Sequence, residues 1–272
     1  MNNCNVHLKK EDDGPRLATV AFRRGGAGKS SISIMLSTLA AALDLKVLLV
    51  DADTQASATN SLYEFEDLNY NTLYELLEKK EKIDNCIYPS IHENLDIIPS
   101  KPAICSLDRT LSRNPYKTLR PILKKLEQYD LILIDQSPAF GRLNEACYCV
   151  DNIIIPACPD VFSLESIVLS IEDISYLSNE YGFESPKVDI VLNKFSPRMK
   201  ASQDAVSFIK NDKRVKKFFK QGLTIKHEQA FVNTINNGRL IWDSKNFNSE
   251  TKETFFKILK TIIPSLKVKT TN

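Results

Sequence analysis

Apolar residues fall in this chain into short, nearly continuous runs separated by stretches with helical spacing. Leu17-Ala-Thr-Val-Ala-Phe22, Lys46-Val-Leu-Leu-Val-Asp51, Leu131-Ile-Leu-Ile-Asp135, Asn152-Ile-Ile-Ile-Pro156 and Lys187 to Leu192 carry hardly any polar interruption. Such runs are expected of strands covered on both faces, in a parallel sheet between two layers of helices. Leu95-Asp-Ile-Ile-Pro99 predicts one more short strand. Between the runs, apolar residues recur three and four apart. Ile32, Met35, Leu36, Leu39 and Leu43 predict a helix over 29–43, and Leu73, Leu76 and Leu77 one over 72–80. Further helices are expected over 103–112, 116–128, 143–149, 163–180 and 200–211, with a last amphipathic one over 249–262. After Lys220 the pattern weakens until that helix begins. Strand, helix and strand at the first spacing make a right-handed βαβ unit. No repeat or linker interrupts the series. The expected fold is therefore a doubly wound α/β domain over 16–265, with a mostly parallel sheet and helices on both faces. A flexible N-terminal tail (1–15) and a polar C-terminal tail (266–272) flank it.

The first strand–helix junction carries the strongest chemistry. The chain has only eight glycines, and three of them are Gly25, Gly26 and Gly28. Glycines let backbone N–H groups converge on an anion without interference from a Cβ, and a helix N-terminus adds partial positive charge. Lys29 is then placed to reach β- and γ-phosphates, and the Ser30 hydroxyl to ligate Mg²⁺. Gly25, Gly26, Ala27, Gly28, Lys29, Ser30 and Ser31 are thus the candidate nucleotide-binding residues. Two of the apolar strands end in acid. Asp135 follows Tyr-Asp-Leu-Ile-Leu-Ile, as expected of a Walker B carboxylate that holds the metal. Asp51-Ala-Asp-Thr-Gln55 supplies two more carboxylates. Phosphoryl transfer needs positioning and charge neutralisation more than covalent chemistry, so these groups suffice for hydrolysis. The plainer alternative for each acid is a cap or a solvated turn residue.

The segment Arg24-Gly-Gly-Ala-Gly-Lys-Ser30 resembles the deviant Walker A loop of the ParA and MinD ATPases, Lys-Gly-Gly-x-Gly-Lys-Ser/Thr, with arginine in place of the first lysine. In that family this residue reaches across a dimer to the partner's nucleotide, which is the role implied for Arg24. Arginine keeps the charge on a wider, planar, forked donor. Asp51-Ala-Asp-Thr-Gln55 is similar to the family's Asp-x-Asp-Pro-Gln. By that resemblance Asp53 orients the attacking water and Asp51 supports the metal shell, with Ser30 and Asp135. Gln136-Ser-Pro-Ala-Phe-Gly141 matches loosely, and Ile153-Ile-Ile-Pro-Ala-Cys-Pro-Asp-Val-Phe-Ser-Leu-Glu165 more closely. Asn193 sits where relatives place an asparagine near the adenine. The resemblance covers about 16–265. It implies ATP and Mg²⁺ as cofactors, an ATP-dependent homodimer and slow, partner-stimulated hydrolysis. In the ParA branch it further implies nonspecific DNA binding and a ParB-type partner in plasmid or chromosome segregation.

Composition narrows the branch. The hydrophobic fraction of 43% and the charged fraction of 26% are those of an ordinary globular protein. No apolar run reaches the ~18 residues of a membrane span. The first fifteen residues show no secretory pattern, so a cytoplasmic, nucleoid-associated protein is expected. Six scattered cysteines without a C-x-x-C pair read as free thiols, and three distant histidines offer no zinc site. No cysteine lies between Asp135 and Gly141, which sets aside the cluster-bridging nitrogenase iron-protein branch. The net charge of +2 hides an asymmetry: between Lys194 and Lys226 ten basic residues face only Asp204 and Asp212, so this window is +8 and the rest of the chain −6. Cations gain affinity for nucleic acid by releasing counterions from phosphates. Arg198, Lys200, Lys213, Arg214, Lys216 and Lys217 are therefore candidate DNA contacts, although solvated helix faces look the same. Two other readings stay open. One is a MinD-like ATPase lying on a membrane through its basic, amphipathic last helix. The other is an ATP-dependent metabolic enzyme of the same superfamily, such as an amide ligase.

Overall fold

The computed structural model describes residues 14–63, 69–138, 141–226 and 249–266. The tails expected at 1–15 and 266–272 fall, but for their innermost residues, outside these.

Among the described residues eight strands form one sheet: β1 (Arg16–Val20), β2 (Val47–Ala52), β3 (Tyr88–Pro89), β4 (Leu95–Ile98), β5 (Leu131–Gln136), β6 (Asn152–Ala157), β7 (Lys187–Phe195) and β8 (Phe219–Lys226). Their order across the sheet is β3-β4-β2-β5-β1-β6-β7-β8. Every pairing is parallel except β3 with β4 at one edge. Along β5 the side chains alternate between two cores. Leu131 and Leu133 join the apolar cluster beneath α1 (Lys29–Ala42) and the last helix, while Ile132 and Ile134 join the cluster on the opposite face. The runs carry few polar positions because neither face meets water.

The long helices stand where the spacing puts them. They are α1, α5 (Arg142–Cys147), α6 (Val161–Tyr181), α7 (Lys200–Asn211) and α8 (Ser249–Ile262). Helix α3 (Leu73–Leu77) is shorter than expected, and a Thr72–Glu75 capping box starts it. The two helices expected over 103–112 and 116–128 are replaced by 3₁₀ segments at Pro102–Arg109 and Pro115–Lys117 and a single turn, α4 (Arg120–Leu123). Pro102, Pro115 and Pro121 explain this. Proline is tolerated in a first turn but removes an N–H and clashes farther in, so each one restarts the chain instead of extending a helix.

Among the described residues, α2 (Ser57–Leu62), the two-residue β3, β8 and 3₁₀ turns at Ile83–Cys86 and Lys216–Phe218 were not anticipated. β8 buries Leu223 and Ile225 but lies at the sheet edge, its pairing with β7 is irregular, and Lys220 and Gly222 interrupt its alternation. The apolar face of α8 (Phe255, Ile258, Leu259, Ile262) is fully buried in the cluster it shares with α1. Among the described residues no helix is long and apolar enough to cross a membrane.

Candidate nucleotide site

Register places the chemistry. Asp135, near the end of β5, is level with Asp51 on β2 and with Val20 on β1. Neighbouring strands lie about 4.8 Å apart, so two carboxylates and the loop leaving β1 meet at the carboxyl edge of three adjacent strands. That loop turns through left-handed glycines, Gly26 (φ 74°) and Gly28 (φ 93°). A Cβ on Gly28 would lie 2.3 Å from Nδ2 of Asn193, so this position requires glycine twice over. Gly25 has neither a left-handed φ nor a neighbour within 4 Å of a Cβ. Gly28 opens α1 and, among the described residues, no side chain caps the helix, so its first N–H groups are open to a ligand.

The outer carbonyls of the loop are tied down. Asn193 Nδ2 donates to Ala27 O at 2.8 Å and Lys194 Nζ to Gly26 O at 2.9 Å. Asn193 is buried, and its Oδ1 accepts from Lys194 N at 2.9 Å. Lys194, itself in the left-handed region at φ 54°, was not singled out by the sequence. A lysine beside a strand end carries no signal of such a backbone contact.

Lys29 is buried, and its Nζ donates to Arg24 O at 3.3 Å. Burial lowers its pKa, and the charges of Asp135 and then Asp53 oppose that shift, so the ammonium faces both acids. Asp135 is fully buried. Loss of solvent and then the charge of Asp51 push its carboxyl well above the usual range, against hydrogen bonds from Ser30 and Ser33. Ser33 Oγ donates to Asp135 Oδ1 at 3.1 Å, while Oδ2 is buried without a hydrogen-bond partner among the described residues. Ser33 was also missed, although it lies one turn beyond Ser30.

Asp51 is held differently. Its oxygens accept from Asp53 N (3.0 Å), Thr59 N (2.8 Å) and Thr59 Oγ1 (2.7 Å). Burial raises its pKa and Thr59 pulls it back. Asp53 Oδ1 accepts from Gln55 N at 3.0 Å, and Ser100 Oγ donates to Asp53 O at 2.7 Å. Thr59 and Ser100 thus lock the turn that presents Asp53.

The donor set fits a metal-bound nucleotide. A buried, partnerless carboxylate oxygen beside a second buried acid calls for a cation, and the uncapped helix start calls for an anion. Ser30, Asp135 and Asp51 offer only oxygen ligands, as Mg²⁺ prefers, and leave room for phosphate and water oxygens.

Arg24 does not project freely from the loop. Its guanidinium is paired within the chain with Asp160, donates to Ser163 Oγ at 3.2 Å, and stacks 5.5 Å above the Phe162 ring. Asp160 is the N-cap of α6 and accepts from Ser163 N at 3.0 Å. The Asp-x-x-Ser spacing before an apolar helix is the sequence signal that marks this cap.

The six candidate DNA contacts are all exposed but do not form one patch. Arg198 and Lys200 stand at the start of α7, while Lys213, Arg214, Lys216 and Lys217 follow its end, about 18 Å away along the axis. Arg214 is also bidentate to Asp212, through Nε (3.1 Å) and Nη2 (2.6 Å). A cavity of about 840 Å³, between Arg120, Asp151 and Lys187, opens at the amino end of the strands, away from the loop.

The AAA domain profile matches residues 16–184, more than half of the chain, a span that contains Asp51, Asp53 and Asp135. The chain belongs to the ParA/MinD family of P-loop ATPases. It is 33% identical over 189 residues to the cell division protein PomZ of Myxococcus xanthus, a match covering 67% of this chain and 59% of that relative's length. It is 28% identical over 265 residues to the virulence plasmid ParA family protein pGP5-D of Chlamydia psittaci, covering 92% of this chain and all of the relative. Among solved structures it resembles a putative plasmid partition protein of Borrelia burgdorferi bound to AMPPNP, with a TM-score of 0.74, 28% identity and coverage of 92% and 98%. These relatives place it among partition or positioning ATPases.

Proposed function

We propose that residues 16–265 act as one ParA-type partition ATPase that binds ATP with Mg²⁺, dimerises around the nucleotide, binds DNA without reading sequence and answers to a ParB-type partner. The observation that carries this reading is the level alignment of Asp51 and Asp135 beside the glycine loop, with buried Lys29 facing the acids. The N–H groups of Gly25, Gly26, Ala27, Gly28, Ser30 and Ser31 cradle phosphates, and Lys29 neutralises the β and γ groups. Ser30 and Asp135 hold the metal and Asp51 supports that shell. Bound Mg²⁺ supplies charge neutralisation across the phosphate oxygens. Asp53, fixed by Gln55 and Ser100, orients the attacking water. Asn193, near the adenine by the resemblance, also steadies the loop through the Ala27 carbonyl it holds. Arg24 serves the dimer once it leaves Asp160.

The placement of α8 supports this branch over a membrane-lying one, because its apolar face is already used in the core. The two basic ends of α7 would meet phosphates at two points along a duplex, and a dimer doubles them.

The test is sedimentation together with fluorescence anisotropy on two unrelated duplexes, with ATP or ADP, across a salt series. Dimerisation and DNA binding that need ATP, fall with salt and ignore sequence are expected, and Lys29→Ala should abolish both. Binding that is indifferent to nucleotide, or that favours anionic vesicles over DNA, would refute the reading.

A further inference from the structure

Strand β7 does not run regularly to its end. Leu192 pairs with Thr224 of β8 and Phe195 with Lys226, so three steps along β7 answer two along β8. The extra residue makes a bulge at Asn193-Lys194. It holds Lys194 at φ 54°, a left-handed conformation that is unfavourable for a lysine. Ile190 and Leu192 face one core and Val191 the other. Regular alternation would therefore send the side chains of Asn193 and Lys194 to opposite faces of the sheet. Both instead reach the glycine loop: Asn193 Nδ2 meets Ala27 O at 2.8 Å and Lys194 Nζ meets Gly26 O at 2.9 Å. Bulges re-aim side chains in this way beside functional sites, and a strained backbone persists only where its surroundings hold it.

We propose that Lys194 is a positioning residue for nucleotide: it sets the glycine loop in its anion-binding form before any phosphate arrives. A trans peptide is planar, and its C=O and N–H point in opposite directions. Holding the Gly26 carbonyl from outside therefore turns the Ala27 N–H inward, and holding the Ala27 carbonyl does the same for the Gly28 N–H. Glycines that let the loop turn also give it many other conformations to lose on binding. Gly25 and Gly26 are exposed, and a Cβ at either would meet no atom within 4 Å, so packing does not fix them. The Lys194 ammonium restrains Gly26 instead, and the ordering of the loop is completed when β7 folds rather than when nucleotide binds. The β-phosphate is common to ADP and ATP, and the clamp touches neither the acids nor the water they orient. Lys194 thus acts on binding and not on the hydrolytic step. That effect on affinity rests on the ATPase reading; the ordering of the loop does not.

Lys194→Gly, Lys194→Met and Lys194→Arg, each in the full chain, separate the clamp from a merely structural role. Glycine relieves the left-handed strain but removes the cation. Its urea midpoint should be no lower than that of wild type, while its Kd for ATP and for ADP rises at least about tenfold. Lys194→Met should weaken both nucleotides by one factor and leave kcat at saturating ATP within about twofold of wild type. Lys194→Arg keeps a charged donor within reach and should restore affinity. Without nucleotide, amide nitrogen relaxation should find Gly26 and Ala27 ordered in wild type and Lys194→Arg, with S² about 0.85, and below about 0.6 in the other two variants. The proposal is overturned if Lys194→Gly and Lys194→Met bind nucleotide as wild type does, or if affinity falls only in step with the urea midpoint. It is also overturned if ADP and ATP lose different factors, if kcat falls while KM does not, or if the loop amides are equally ordered in all the proteins. A wild-type chain that binds neither nucleotide refutes the ATPase reading, and the relaxation measurement then still decides the clamp.

Discussion

Replacing Gly28 by alanine tests the loop geometry through its stability cost. Two penalties should add. An alanine at φ 93° pays about 1–2 kcal/mol for the left-handed conformation. Its Cβ, 2.3 Å from Asn193 Nδ2, forces that amide aside at about 1–3 kcal/mol, as overpacking does. Asn193→Ala alone loses the 2.8 Å bond to Ala27 O, worth about 1 kcal/mol. In the double variant the clash has no partner, so only the backbone penalty and the lost bond remain. The double variant should therefore be more stable than the sum of the singles by about 1–3 kcal/mol. Gly25→Ala, with open space and ordinary φ, should change stability by less than about 0.5 kcal/mol. Urea unfolding of the nucleotide-free protein measures all four. Additivity between Gly28→Ala and Asn193→Ala within about 0.5 kcal/mol would refute the contact, and a Gly25→Ala as damaging as Gly28→Ala would refute the loop conformation.

Asp53→Ala should retain ATP binding and ATP-dependent dimerisation but lose hydrolysis, read by calorimetry and phosphate release; unchanged turnover would move the water-orienting role elsewhere. Arg24→Ala should stay monomeric with a non-hydrolysable analogue while Arg24→Lys dimerises, as size-exclusion chromatography would show; a fully dimeric Arg24→Ala refutes the trans contact. Asp151 gives a pH prediction. Burial works to raise its pKa, but the Leu17 N–H (2.9 Å) and the cations of Arg120 (2.8 Å) and Lys124 (3.1 Å) outweigh it and hold the carboxyl low. Its contribution is complete above the unfolded value near 4 and is lost as pH falls through the lower folded value. Asp151→Asn should cost about 3 kcal/mol at pH 7, and the gap to wild type in denaturant midpoint should narrow only below about pH 4.

Strands and long helices were legible because burial on both faces leaves a continuous apolar signature and one-sided burial leaves a helical one. The site was legible where backbone chemistry demands a residue type, as at Gly26 and Gly28, or where an acid closes an apolar run, as at Asp51 and Asp135. It was not legible where a group acts across the fold. Nothing near Asn193 in sequence says that its amide meets Ala27, and nothing near Arg24 names Asp160, 136 positions away. Edge strand β8 escaped because its lysines and glycine, which suit an edge, also erase the strand pattern. The proline-broken segment 102–123 escaped for the opposite reason: apolar spacing persists there although the backbone cannot sustain a helix.

The sheet order has a consequence for how the protein comes into being. β1 and β2 follow one another in the chain yet do not touch; β5 lies between them and pairs with both. The Thr19 hydroxyl meets the Ile134 carbonyl across 115 positions of sequence. A chain growing from its N-terminus therefore makes the phosphate loop, α1 and Asp51 early, around an empty slot with a bare strand edge on either side. Only when Leu131 to Gln136 enters does the slot close, and the same event delivers Asp135. The strand that fills the slot is thus the one that sets Asp135 beside the loop, and the other edge of β1 stays bare until β6 follows.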